Sequence, residues 1–95
     1  MLRITPISVS PQRTTYALAG EITADQLPRL GRLVRSAHAA GKELTFDLSG
    51  VWLVERGTAR LIVPHTSGPA PRVHLEGARD GLLDWLRSVS SEEER

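Results

Sequence analysis

The chain has 95 residues, a formal net charge of +1, 40% hydrophobic and 24% charged residues, and no cysteine. A chain of this size suits one domain with a single modest core, and without cysteine there are no disulfides, thiolate nucleophiles or cysteine metal ligands. The near balance of charge gives no electrostatic case for nucleic acid or a membrane surface, no apolar run approaches the ~20 residues of a membrane span, and the amino terminus does not read as a secretory leader. A cytoplasmic protein with no nucleic-acid partner and no direct membrane insertion is expected.

Leu2, Ile4, Ile7 and Val9 mark a first strand whose alternation slips at Pro6, which predicts a bulge or an edge position there. Pro11, Gln12 and Arg13 turn the chain, Thr14 to Ala19 reads as the second strand of a hairpin, and Gly20 closes it. Thr23 or Asp25 caps the helix that follows. Gln26 stands where a capping box from Thr23 would put it, but Pro28 belongs in a first helical turn and favours Asp25. Leu27, Leu30, Val34 and Ala37, widened by Leu33, form its core-facing stripe, and Gly41 is placed to end it in a left-handed conformation. Arg29, Arg32 and Arg35 fall mostly outside the stripe. Such spacing can make a phosphate-binding ridge, but a solvated helix face is the commoner use and is the reading adopted.

Leu44, Phe46 and Leu48 alternate with Thr45 and Asp47, as in a strand with one face on a core. Asp47 to Gly50 then supplies turn chemistry before a second helix from about Glu55 to Val63, stopped by Pro64. Ser67 to Pro71 reads as a loop and Arg72 to Glu76 as a short strand around Val73 and Leu75. Leu82, Trp85, Leu86 and Val89 repeat at helical spacing, with Asp80 as the expected cap. Residues 1–90 are assigned to one domain, and the acidic end, 91–95 in a stretch without apolar residues from Ser90, is expected to be disordered. The predicted fold is α/β, in the order β-β-α-β-α-β-α. An opening hairpin is antiparallel while each strand-helix-strand crossover favours parallel pairing, so the four strands form a mixed sheet with the three helices on at least one face.

The run Phe46-Asp47-Leu48-Ser49-Gly50-Val51, followed by an acidic residue and a helix, resembles the signature of STAS domains, named for sulphate transporters and anti-sigma factor antagonists. Leu18-Ala19-Gly20-Glu21-Ile22 and Val73-His74-Leu75-Glu76-Gly77-Ala78 match in order on either side of it, and the likeness spans roughly residues 2 to 89. It implies a compact, non-catalytic interaction module without the additional terminal strand and helix often found in that family. The anti-sigma antagonist branch carries a phosphorylated serine at the start of the second helix. Here the matching positions read Glu55-Arg56-Gly57-Thr58, so Gly57 replaces the acceptor. Thr58 points about 100° further round a helix and Ser49 belongs to a turn, which leaves both as weak substitutes, and no phosphorylation is expected. Two partner classes follow from the resemblance: an anti-sigma factor kinase in a partner-switching system, or the ATPase subunit of a lipid-type ABC transport complex. A small-ligand or nucleotide-binding domain is a third reading, and a homodimer stays open.

The expected docking surface comprises Trp52, Glu55, Arg56, Gly57, Thr58 and Arg60. Unpaired amides at a helix start carry partial positive charge, and Arg56 with Arg60 one turn on offers donors to a carboxylate or phosphate. Glu55 paired with its own neighbours on a solvated face is an equal alternative. Trp52 either caps the core or anchors an interface, with the core favoured. For catalysis, Asp47 and Glu55 are the carboxylates that a strand end would bring together, yet no nucleophile stands near them. His38, His65 and His74 lack metal-ligand spacing and no glycine-rich phosphate loop is present, so neither enzyme activity nor a metal or other cofactor is expected.

Overall fold

The computed structural model describes residues 2–63, 72–79 and 81–93, with the backbone alone at 90–93. The Pro64 stop, the loop over 67–71, His65 and the Asp80 cap lie outside the described residues. β1 (Leu2–Val9) and β2 (Arg13–Ile22) form the expected antiparallel hairpin. Pro6 faces Tyr16 and Ser8 faces Thr15, so Ile7 is the extra residue of a bulge beside the proline. An edge strand tolerates this, because one side of its ladder has no partner to lose.

β2 does not close at Gly20. It continues to Ile22 because β3 (Glu43–Val54) supplies partners on its other side, Leu53 for Glu21 and Val54 for Ile22. A 3-10 turn at Ala24–Gln26 then leads into α1 (Leu27–Ala39). Neither Thr23 nor Asp25 caps with its side chain. The Thr23 hydroxyl donates instead to the Asp25 carboxylate, which holds that carboxyl below its ordinary range, and Gln26 takes the capping position with Pro28 in the first turn. At the other end Gly41 is left-handed, with φ +69°. The Lys42 amide reaches the Ala37 carbonyl at 2.9 Å and the Gly41 amide the His38 carbonyl at 3.1 Å, as in a Schellman ending. Leu30 and Val34 are buried, Leu27, Leu33 and Ala37 pack against the same core, and Arg29, Arg32 and Arg35 are exposed.

α2 (Gly57–Ile62) is shorter than expected at its start. The Glu55 amide still donates to the Ile22 carbonyl at 2.7 Å, which keeps the chain tied to β2 until that residue. β4 (Val73–Glu76) and α3 (Leu82–Glu93) complete the fold. The helical backbone of α3 runs into the end expected to be disordered. No glycine or proline interrupts Ser90 to Glu93, and an existing helix adds one hydrogen bond per residue.

The sheet order is β1-β2-β3-β4, antiparallel in its first pair and parallel in the other two. The molecule is therefore an α/β protein with a mixed four-stranded sheet and three α-helices, as the sequence predicts. Parallel crossovers are right-handed in nearly all proteins, which favours one face for α1 and α2, and Leu30, Val34 and Ile62 share one core cluster with the sheet. Leu2, Leu18, Leu44, Phe46, Leu48 and Val73 bury that face against Leu30, Val34 and Ile62. α3 joins through Leu86 and Val89, which pack on Ala59 of α2. The alternate residues form a polar face, where Arg13 Nη2 lies 2.8 Å from Glu43 Oε2 across the β2–β3 pair and holds the Glu43 carboxyl below its ordinary range.

Candidate functional site

The Asp47-Leu48-Ser49-Gly50 segment is strand, where turn chemistry was expected. While β2 steps from Ala17 to Ala19, its β3 partners step from Asp47 to Gly50, and from Gly20 to Glu21 they step from Val51 to Leu53. β3 thus absorbs two extra residues as bulges and stays paired. At the first, Asp47 Oδ1 accepts the Ser49 amide at 3.0 Å. This is the local bond an aspartate would make in a turn, used here to hold a kink within a strand. The Ser49 amide, with its hydroxyl, keeps the Asp47 carboxyl below the ordinary range.

Two glycines let the strands close around this kink. A Cβ on Gly50 would lie 2.9 Å from Ala19 Cβ and 3.1 Å from the Leu18 carbonyl oxygen. Gly77 has φ +67°, and a Cβ there would lie 2.6 Å from Asp47 Oδ1. Residues from all three motif segments, Ala19, Asp47 with Ser49 and Gly50, and Gly77, therefore meet at one point. Their spacing has a packing reason that needs no ligand.

The continued strand changes the expected site. Asp47 and Glu55 do not converge, because seven residues of strand at ~3.3 Å each separate them. Trp52 does not cap the core: it lies on β3 with 59% of its surface exposed. Glu55, Arg56 and Arg60 are also exposed. Thr58 is not part of that surface, being 1% exposed, and its hydroxyl has no hydrogen-bond partner among the described residues. It follows Gly57 round α2 and points to the core, where Ala59 and Ile62 are also buried. Gly57 is half-buried against α1, where a Cβ would meet Leu27 Cδ1 at 2.8 Å. Gly57 and Arg60 line a shallow groove of about 350 Å³ with Leu27 and Leu61.

A second groove, of about 400 Å³, runs along the end of β3. Val51, Trp52, Leu53 and Val54 form one wall, and Arg79, Gly81, Leu82 and Trp85 the other. Leu53 is 47% and Trp85 39% exposed. Sequence reasoning missed Leu53, Arg79 and Trp85 as surface features. No local signal marks them, because the bulge that sets the facing of Trp52 and Leu53 comes from the pairing with β2. Trp85 shares the α3 stripe of Leu82, Leu86 and Val89 but sits at its margin.

His38 is exposed on α1, and His74 Nε2 stands 3.8 Å from Glu43 Oε2 on the polar face. Among the described residues no group of histidines and carboxylates is placed to hold a metal ion. No helix among them is long and apolar enough to cross a membrane. Comparison with known proteins finds no family model and no curated protein that matches the chain.

Proposed function

We propose that this chain is a small, non-catalytic docking module of STAS type that acts in the cytoplasm by binding another protein through the end of β3 and the start of α2. The observation that carries this reading is the exposure of Trp52 and Leu53 immediately before Glu55, Arg56 and Arg60. A small domain that leaves a tryptophan and a leucine in water shortly before exposed charged residues in the chain has the composition of an interface anchor with its rim. Between the two partner classes, Gly57 at the acceptor position and a buried Thr58 favour a constitutive partner, such as a transporter ATPase subunit, over a kinase that must add and lose a phosphate.

Reversing Arg56 and Arg60 to glutamate tests the reading. The double variant is expected to keep its melting temperature near wild type, because surface changes usually alter stability by less than ~0.5 kcal/mol, and to lose an ATPase captured from native lysate. The matched control reverses Arg29 and Arg32 on the solvated face of α1. Loss of capture by the control pair alone would move the docking face to α1 and defeat the proposal.

A further inference from the structure

A cavity of about 290 Å³ lies between the carboxyl half of α1 and the first residues of β2 and β3, away from Trp52. Thr14, Tyr16, Ser36 and Lys42 give its lining three hydroxyls and one cation, and Leu33, Ala37 and Leu44 make it partly apolar. Thr14 is 8% exposed, and Tyr16 and Lys42 are half-buried. Among the described residues none of the four polar side chains makes a hydrogen bond or an ion pair. Every lining residue is described, and so are both of its chain neighbours. The carboxylate next to Lys42 in the chain, Glu43, is engaged by Arg13 on the polar face, and residues 64–71 hold no carboxylate in their sequence. A lysine that follows a helix often serves the last carbonyls. Here backbone amides do so: Ala40 reaches the Ser36 carbonyl at 3.1 Å and the Lys42 amide the Ala37 carbonyl at 2.9 Å, so these carbonyls do not need the lysine side chain.

We propose that the cavity binds a small organic acid. Lys42 and the hydroxyls of Thr14 and Tyr16 hold its carboxylate, and its apolar body packs on Leu33, Ala37 and Leu44. Each property of the ligand answers one property of the cavity. A hydroxyl taken out of water without a partner is costly, and an acceptor on the ligand removes that cost. One cation with no carboxylate beside it in the lining selects a single negative group. The apolar residues select a molecule with a hydrocarbon part over an inorganic anion, and a volume near the lower end of the ~300–1,000 Å³ of ligand sites selects one of fragment size. Neither Trp52, Arg56 nor Arg60 lines the cavity, so the inference is independent of the docking reading.

Tyr16 is the chain's only tyrosine, so its ring signals in NMR spectra report on this cavity, and the two tryptophans, which do not line it, are internal controls. The probes are benzoate, hexanoate, benzamide, hexanamide and inorganic phosphate, titrated into the full chain carrying isotope-labelled tyrosine. Both acids are expected to shift Tyr16 saturably and to leave the indole signals in place. The amides should bind about tenfold or more weakly, as loss of a charge-assisted hydrogen bond implies. Lys42→Met should lower the affinity for the acids to that for the amides, while Lys42→Arg should retain most of it. Thr14→Val should weaken the acids as well, and circular dichroism checks that each variant folds. Absence of a saturable Tyr16 shift with either acid overturns the proposal, as does equal binding of acid and amide to the wild type or acid binding unchanged by Lys42→Met. Phosphate binding as tightly as benzoate would also overturn it, by making the cavity a site for inorganic anions. Reversal of Arg56 and Arg60 should leave the Tyr16 titration unchanged, so this inference and the docking reading can each fail alone.

Discussion

From Leu44 to Asp47, β3 has strand neighbours in β2 and β4 and helices over one face, and it buries Leu44 and Phe46 almost completely. From Gly50 to Val54 the same strand is paired, among the described residues, with β2 alone, and it leaves Trp52 and Leu53 in solvent while burying Val51. Both halves are rich in large apolar residues, so hydrophobicity does not separate them. Position does. Every large apolar residue from Leu44 to Val51 reaches the core, and exposure begins only at Trp52, past the described end of β4 and at the second bulge.

The comparison breaks most visibly at Phe46, which is fully buried at the centre of the enclosed half. Phe46→Ala is expected to cost ~3 to 5 kcal/mol, a large part of the margin of a small domain, as read from denaturant melts. A loss under about 1 kcal/mol would mean that the enclosed half is no better packed than the open one.

The joint between the halves comes next. Gly77→Ala puts a Cβ into a left-handed residue and against Asp47 Oδ1, and should cost about 1 to 3 kcal/mol. It should do so without changing the fluorescence of Trp52 and Trp85 in the native state. A shift in that emission would show that the kink also sets the shape of the groove.

The smallest effect belongs to the Asp47 carboxyl, whose bonds to Ser49 lower its folded-state pKa. A carboxyl lowered on folding contributes stability that is present above its ordinary value of about 4 and lost as the pH falls through the folded value. Acid melts of wild type should therefore steepen below about pH 4, and Asp47→Asn should remove part of that slope. Equal slopes for the two proteins would show that the backbone, not this carboxylate, holds the kink.

The amino-acid sequence by itself determined the order of elements, the slip at Pro6, the stop at Gly41 and the buried stripe of α1. Each of these is a local property: a period of two or of 3.6, a residue without an N–H, or one without a Cβ. Only the tertiary structure decided what followed Leu48. Asp47 to Gly50 has the composition of a turn, and its aspartate makes a turn's hydrogen bond, yet the chain stays extended because Ala19 to Ile22 of β2 offers it partners. That long-range pairing carried Trp52 past the core, separated Asp47 from Glu55, and placed Trp52 and Leu53 opposite Arg79 and Trp85. The partner along a strand's edge comes from residues distant in the chain, so no local window of sequence contains it.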